Sequence, residues 1–313
     1  MAITIQSNHI YLSRRSGYNV VMKIGAFEIE GELPELADTQ AVVILRPWID
    51  AGNVGSLVLT WLEKQTNART LAALARPGRF FDFTRYRPML YRSGGQRRLV
   101  VPNTYVTCGR RKGGGDFLFF HLLEPHALSE VFTDSVTELI ERLRVTRYIL
   151  LGSMYDFVPH TRTLLVTGGA EEKEAAAELE KLGVSASDYE GPTTICYVIS
   201  QRASARGISS VTMIVHLPQY TQLEEDYMGV LRLKEILAPY YGFQIDSESL
   251  EMARRQRERI TASAATDPQI REIIDKLEES FDAGLRERKA GEEALSPEVE
   301  DFLREMEKRF RRE

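Results

Sequence analysis

The chain has 313 residues, of which 43% are hydrophobic and 27% are charged, and its formal net charge is −5. This length suits one large α/β domain, alone or with an appendage, and the acidic balance argues against a general nucleic-acid-binding protein, which would carry a basic domain. No apolar run reaches about 18 residues, so we expect neither a transmembrane helix nor a membrane partner.

The organising element of the predicted fold lies between residues 41 and 65. Short alternating segments before it, such as Ile3–Ile5 and Phe27–Glu30, are typical of peripheral strands. Ala41–Leu45 is an apolar, β-branched run that predicts a buried strand. Turn formers follow, and apolar residues then recur at steps of three and four, which predicts a helix with Asn53 as its N-cap.

The next segments alternate between strand and helix patterns. Thr70–Ala75 predicts a short strand, and Ser93–Gln96 lies between two strand-forming runs, which indicates a β-hairpin. Apolar runs predict further strands, and apolar residues at helical spacing predict helices. The predicted strands are Met89–Tyr91, Arg98–Val101, Asp116–Leu123, Arg147–Leu151, Thr163–Val166 and Val211–Val215, and the predicted helices are 126–144, Glu171–Leu182, Thr194–Arg202 and Tyr227–Tyr241.

Strands that alternate with helices favour a mainly parallel sheet covered on both faces. We therefore expect an α/β domain over residues 1–245. From Asp246 onward the chain is densely charged with apolar residues at helical spacing, so residues 246–313 are predicted to form a helical C-terminal extension. Its helices should pack on the core domain or on another subunit. A solvated tail after a hinge at Gly284 and 286–294 is the alternative for about the last 30 residues.

Four turns that follow apolar strands carry polar side chains. Because the carboxyl ends of strands in an open α/β sheet lie along one edge, these turns are expected to converge. Carboxylates and an imidazole at that edge would suit acid–base chemistry or a metal ion, although Asp and Asn also favour turns for local reasons. The free N–H groups of the helix after Gly52 are a candidate anion site. The candidate ligand-binding residues are Asp50, Gly52, Asn53, Asp82, Arg85, Glu124, Asp156, His160 and Arg162.

The segment Asp156-x-x-Pro-His-Thr-Arg places three different hydrogen-bonding side chains at one strand end. Pro159 stiffens the loop, and His160, Thr161 and Arg162 supply imidazole, hydroxyl and guanidinium groups. Two interpretations stay open. Either the loop contacts a ligand, or His160 and Arg162 pair with nearby carboxylates that pin the loop.

Arginines concentrate after the second predicted central strand and around the hairpin. They would form a basic rim for an anionic ligand or an acidic partner, or a solvated, salt-bridged surface. Residues 110–115 are basic and glycine-rich, but an apolar strand follows where a Walker A loop needs Gly-Lys-Ser/Thr and a helix. A flexible basic loop is the better interpretation. The arginines of the rim are Arg79, Arg85, Arg87, Arg97 and Arg98.

No motif points to a metal or a cofactor. The five histidines make no short-spaced ligand pair on a helix, and no Cys-x-x-Cys occurs. A Gly-x-Ser-x-Gly nucleophile elbow is also missing, which argues against an α/β-hydrolase triad. Cys108 and Cys196 lie far apart, and residues 1–19 lack a signal-peptide core, so we expect two reduced thiols in a cytoplasmic protein.

An ordered set of short motifs runs through the chain. They are Trp48-Ile49-Asp50-Ala51-Gly52-Asn53, Phe81-Asp82-Phe83 with Arg87-Pro88, Glu124-Pro125, Asp156-x-x-Pro-His-Thr-Arg, Tyr189-x-Gly191-Pro192-Thr193, Gly207 before a strand, and Pro218-x-Tyr220. Together they resemble the prokaryotic branch of the proteasome assembly chaperone family, over roughly residues 30–285.

The resemblance implies a three-layer α/β/α sandwich of the phosphorylase/hydrolase-like type with a helical C-terminal extension. It also implies self-assembly, often as trimers, without an established catalytic activity. Position 219 is Gln where relatives commonly have His, and the chain ends in Arg311-Arg312-Glu313. Archaeal relatives that dock on the proteasome end instead in a hydrophobic-Tyr-any tripeptide. Tail docking on a proteasome is therefore not expected, because an inserted tail needs that apolar and aromatic anchor.

Two functional hypotheses remain open. The first is a non-catalytic, oligomeric assembly-chaperone-like or protein-interaction protein, with a trimer favoured and an unidentified protein client. The second is a small-molecule hydrolase- or phosphorylase-like enzyme, or a ligand sensor, with its site at the carboxyl ends of the strands. The first is preferred because of the family resemblance and because no catalytic constellation is recognisable.

Overall fold

A computed structural model describes residues 22–111 and 113–290 of the chain. The strands are β1 (Lys23–Ile24), β2 (Phe27–Ile29), β3 (Thr39–Arg46), β4 (Arg69–Leu74), β5 (Met89–Ser93), β6 (Gln96–Val100), β7 (Tyr105–Arg110), β8 (Asp116–Leu123), β9 (Val145–Asp156), β10 (Val166–Ala170), β11 (Ser185–Ala186) and β12 (Ser209–Pro218). The α-helices are α1 (Val54–Thr66), α2 (Ser129–Arg142), α3 (Lys173–Lys181), α4 (Ile195–Ser204), α5 (Tyr227–Tyr241), α6 (Ser247–Thr266) and α7 (Pro268–Ala290).

The main sheet has ten strands in the order β1-β2-β4-β7-β8-β3-β9-β12-β10-β11. Its centre is parallel, because β8, β3, β9 and β12 all run the same way. Residues 41–45 of β3 are at most 1% exposed, so the predicted buried central strand is confirmed. The expectation of a mainly parallel sheet is right for this centre and wrong for the flanks. There β1, β2, β4 and β7 pair antiparallel, and β10 runs antiparallel to β12.

Helices cover both faces of the sheet and bury two apolar layers. One layer contains the apolar side of α2 and α4, including Phe132 and Ile199. The other contains α1, α3 and α5, including Leu59, Leu179 and Leu233. The predicted three-layer α/β/α sandwich is therefore confirmed, since each helix presents one apolar stripe to the sheet.

Strand β10 begins where the predicted strand Thr163–Val166 ends, so that prediction is wrong in position. The strand runs through Gly168 and Gly169, which a sequence pattern assigns to a turn. A Cβ atom on Gly168 would lie 1.8 Å from the carbonyl oxygen of Thr212 on β12, so only glycine allows this close pairing. Strand identity here is set by the neighbouring strand rather than by local propensity.

The predicted hairpin forms a separate two-stranded sheet of β5 and β6. Its turn residues Gly94 and Gly95 have φ values of +56° and +78°, the left-handed pair that two-residue hairpin loops favour. The described backbone therefore places β5 and β6 outside the ten-stranded sheet.

The C-terminal helices pack on the domain rather than forming a detached appendage. Ala253 and Ile260 of α6 join the apolar layer of α5. Helix α7 runs without a break through Gly284 to Ala290. The prediction of a hinge is therefore wrong for Gly284 and for residues 286–290. The predicted strand Ile3–Ile5, the part of the predicted helical extension after residue 290 and its tail 311–313 lie outside the described residues. No helix of the described ranges is long and apolar enough to cross a membrane.

Candidate functional site

The candidate residues lie along one edge of the sheet, as the turn pattern predicts. Strands β3, β8, β9 and β12 are parallel, so their carboxyl ends share that edge. Strand β4 points the same way as β8, because each is antiparallel to β7, which lies between them. The side chains at this edge nevertheless engage different partners, and they divide into four groups.

Asp50 caps helix α1. Its carboxylate is 6% exposed and accepts hydrogen bonds from the N–H (3.1 Å) and the Oγ–H (2.5 Å) of Ser56. Burial raises the pKa of Asp50, and the Ser56 hydrogen bonds partly offset it. Asn53 occupies the N-cap position, as predicted, but its side chain does not cap the helix. Asn53 has φ +52° and makes no capping bond, and its amide donates instead to the carbonyl of Glu224.

The turn at Gly52 is packed against the start of α5, not open to a ligand. Gly52 has φ +57°, and a Cβ atom there would lie 2.7 Å from Cβ of Asp226. The carbonyl of Gly52 accepts the N–H of Asp226 at 2.8 Å. The start of α1 was the predicted anion site. The carboxylate of Asp50 already occupies this position, so the chain itself supplies the anion.

Asp82, Arg85 and Glu124 form the second group. Asp82 accepts the N–H and Oγ–H of Thr84 at 2.8 and 2.7 Å, and the backbone hydrogen bond leads the causes that lower its pKa. Glu124 accepts the N–H of Ile195 at the start of α4, and burial raises its pKa. Asp82 and Arg85 share an open depression of about 530 Å³, which Glu124 does not line; its other residues are Gly78, Arg79, Phe80, Phe81, His126 and Ala127.

Asp156 belongs to a third group that the sequence did not indicate. Its Oδ2 lies 2.6 Å from Nδ1 of His216 on β12, and Nε2 of His216 lies 2.7 Å from Oγ1 of Thr167 on β10. Burial alone would raise the pKa of Asp156, but the hydrogen bond and charge of His216 outweigh burial, and the pKa is lowered. An ionised carboxylate only accepts, so Nδ1 of His216 carries a proton; when the ring is neutral, Nε2 accepts the Thr167 hydroxyl.

His160 is a buried, neutral member of the fourth group. The backbone N–H of His160 donates to the Tyr220 hydroxyl at 2.7 Å, and that hydroxyl donates to the ring nitrogen Nδ1 of His160 at 2.6 Å. Its Nε2–H donates to Oγ1 of Thr261 at 3.0 Å, which itself donates to the carbonyl of Arg257. Burial lowers the pKa of His160, and Arg257 lowers it further against the opposing effect of Glu278.

The same loop is also joined to helix α7 by hydrogen bonds and an ion pair. Arg162 makes two hydrogen bonds to Asp282, at 3.0 and 2.8 Å, and an ion pair with Glu278 at 3.3 Å. The hydroxyl of Thr161 donates to Glu278. Of the two interpretations of this segment, pinning by nearby carboxylates therefore describes Arg162, while His160 is held by hydroxyl groups of β12's exit and α6.

The residues missed by sequence reasoning are His216, Thr167 and Tyr220. His216 and Thr167 sit on adjacent strands, at positions whose side chains leave the same sheet face as Asp156. Residue alternation along a strand predicts such a shared face, but it does so only once the order of the strands is known.

A model of the PAC2 family matches residues 44–265 of the chain. A protein of unknown function from Mycobacterium tuberculosis is similar in structure with a TM-score of 0.73 and 24% identity, covering 86% of this chain and 92% of that one. A proteasome-assembly chaperone homologue from the same organism has a TM-score of 0.66 and 24% identity, covering 75% and 100%. PbaB, an archaeal proteasome activator from Pyrococcus furiosus, has a TM-score of 0.58 and 14% identity, covering 77% and 99%.

These structural likenesses lie below 25% identity and support the fold alone. No curated protein matches the sequence. The family match begins within the last residues of β3, includes every candidate residue from Asp50 to Arg162 together with Thr167 and His216, and ends one residue before the end of α6.

Proposed function

The chain belongs to the PAC2 family, and from that membership we propose that it is an oligomeric assembly-chaperone-like or protein-interaction protein. Its client is a protein, and its own state is a closed homo-oligomer, a trimer, in the cytoplasm. Nucleic acid and membranes are not partners in this proposal. One structural relative, from Mycobacterium tuberculosis, is a proteasome-assembly chaperone homologue, and this likeness agrees with the proposed class of function.

The observation that supports this proposal is that the polar side chains at the sheet edge each hold a different helix. Asp50 holds the start of α1, Glu124 holds the start of α4, and Arg162 holds α7. A catalytic centre would need these groups within hydrogen-bond reach of one substrate. Here each secures a different helix, so the edge serves as a rigid platform on which surfaces are displayed.

The existence of a client is tested by crosslinking the protein to its neighbours in the host. Each crosslinked protein is then purified and mixed with the purified chain. We expect a complex of fixed stoichiometry that survives size-exclusion chromatography. The C-terminal residues 311–313 are not expected to mediate it, so a chain ending at residue 310 should bind equally well. Purified candidates that all fail to form a complex would contradict the proposal.

A second candidate function rests on Thr167, His216 and Asp156. A hydroxyl, an imidazole and a carboxylate linked in series are the parts of a nucleophilic acyl-transfer site. Thr167 Oγ1 would attack an ester carbonyl while His216 Nε2 takes its proton and passes it to the departing alcohol. Water would then release the acid from the acyl-threonine, with His216 again as the base. Space for the acyl group exists beside Thr167, because a Cβ atom on Gly169 would meet nothing within 4 Å.

Hydrolysis of p-nitrophenyl acetate tests this second candidate. An enzyme would acetylate Thr167, which mass spectrometry detects, and the Thr167→Val variant would lose both the modification and the hydrolysis above the level of free imidazole. Equal rates for the wild-type chain and Thr167→Val would eliminate the acyl-transfer function and leave the binding function standing.

A further inference from the structure

The hairpin of β5 and β6 exposes apolar side chains that have no cover within the described chain. Met89 is 52% exposed, and the directly opposed pair Leu90 and Leu99 are 59% and 60% exposed. A two-stranded hairpin on its own is only marginally stable in water. Contiguous apolar side chains on such an arm are characteristic of a surface that becomes buried against a partner.

The hairpin also lies in the most basic part of the chain. Residues 83–115 contain eight arginines and lysines and no aspartate or glutamate, which leaves 32 basic and 45 acidic residues for the remainder. Arg92 and Arg97 are opposed in the hairpin, on the same face as the Leu90–Leu99 pair. This face therefore combines an apolar centre with two positive charges and fits a surface that is aromatic and acidic.

The opposite end of the sheet offers that surface. Residues 171–190, which include α3 and β11, carry seven acidic residues and two lysines. Glu174 and Glu180 are exposed on α3, and Tyr189, which lies between Asp188 and Glu190, is 66% exposed.

The two surfaces cannot meet within one chain. The hairpin is inserted between β4 and β7, whereas α3 packs on β10. Six inter-strand steps of about 4.8 Å separate β4 from β10 in the sheet, a distance of roughly 29 Å. A pair of complementary surfaces at opposite ends of a molecule produces a head-to-tail contact, and such contacts close into rings when the rotation between copies allows it.

We propose that the β5–β6 hairpin of one copy docks on the α3–β11 edge, with Tyr189, of the next copy. Leu90 and Leu99 are buried against Tyr189, while Arg92 and Arg97 face the carboxylates of α3. This inference rests on the oligomer of the proposed function and names the surfaces that build it. The charges steer the two surfaces together, so the association weakens as salt rises.

A charge-swap series tests the contact by sedimentation velocity. The double variant Arg92→Glu/Arg97→Glu should fall to the mass of the 35.6 kDa chain at concentrations where the wild type is assembled. The variant Glu174→Lys/Glu180→Lys should do the same. The quadruple variant carries both pairs of changes and should recover the wild-type mass. Arg142→Glu/Arg144→Glu, which changes two exposed arginines at the end of α2 by the same charge, should keep it.

Thermal unfolding of each variant checks that these exposed substitutions leave the fold intact. An assembled wild type together with an assembled Arg92→Glu/Arg97→Glu variant would overturn the hairpin contact and leave the oligomeric function standing. Loss of assembly in that variant without recovery in the quadruple variant would show that the hairpin docks elsewhere, on another partner surface, and would also overturn it. A wild-type chain that is monomeric at every concentration would contradict both the hairpin contact and the oligomer of the proposed function.

Discussion

The carboxylate of Asp156 lies 2.6 Å from Nδ1 of His216 on the neighbouring strand, and not against His160, which follows it four residues later in the same loop. His160 turns the other way, to Tyr220 and Thr261. The two residues at this strand end therefore have separate tasks. Asp156 orients an imidazole that contacts a hydroxyl, and His160 joins the loop to α6.

The lowered pKa of Asp156 predicts a specific dependence of stability on pH. Because its folded pKa lies below the usual 3.8, the ionised carboxylate stabilises the fold above that pH, and the contribution disappears as the pH falls through the folded value. We expect Asp156→Asn to be less stable than the wild type at about pH 6, with the gap closing towards about pH 2. Urea unfolding at a series of pH values measures it. Asp188→Asn controls for the loss of one exposed negative charge, and a gap for Asp156→Asn that stays constant with pH would contradict the assignment.

Removing the carboxylate of Asp50 should destabilise the protein, because the start of α1 loses its cap. The expected loss for Asp50→Ala is about 1–2 kcal/mol in the free energy of unfolding. The matched change at the position first expected to cap, Asn53→Gly, should cost less than about 0.5 kcal/mol, since glycine accepts the left-handed conformation at φ +52°. Denaturant unfolding of both variants measures the difference, and an equal loss would return the capping role to Asn53.

Gly52 should tolerate no side chain. Alanine at φ +57° costs about 1–2 kcal/mol for backbone conformation alone, and its Cβ would meet Cβ of Asp226 at 2.7 Å. Gly242→Ala provides the comparison, because φ there is +70° and a Cβ atom meets nothing within 4 Å. The unfolding free energy should therefore fall further for Gly52→Ala than for Gly242→Ala. Equal losses would mean that the turn and the start of α5 are not in contact.

Arg162 should anchor α7 without contributing to the sheet. In Arg162→Ala the two hydrogen bonds to Asp282 are lost, so local opening of α7 becomes easier. Hydrogen exchange read by mass spectrometry should show severalfold faster exchange in residues 270–284, with the peptides of β3 and β9 unchanged. Glu279→Ala on the exposed side of the same helix is the control. Unchanged exchange in α7 would mean that the apolar contacts of Ile274 and Leu277 hold the helix by themselves.

The sequence predicts those parts of the fold that local patterns determine. Ala41–Leu45 is apolar on both faces because helices cover both faces of the sheet at this strand. Ser93–Gln96 forms a hairpin because two adjacent glycines accept positive φ. Strand β7 was not predicted. Its pairing with β4 and β8 relies on neighbours that no single window of sequence contains.

The sequence predicts the sheet edge on which the candidate residues lie, but not the hydrogen-bond partner of each side chain. Every candidate at the strand ends lies on the expected edge, because the direction of the strands fixes it. The partner of each side chain could not be predicted, since Asp156 and His216 are 60 residues apart in sequence and His160 and Thr261 are 101 apart. Such contacts depend on which strands are neighbours and on where the C-terminal helices lie.

The proposed function requires association of the chain with itself, and the mass of the wild-type chain in solution tests this most directly. Native mass spectrometry at micromolar concentrations should show one closed assembly, three copies of the 35.6 kDa chain, which dissociates as the salt concentration rises. A single species at 35.6 kDa under all these conditions would contradict it.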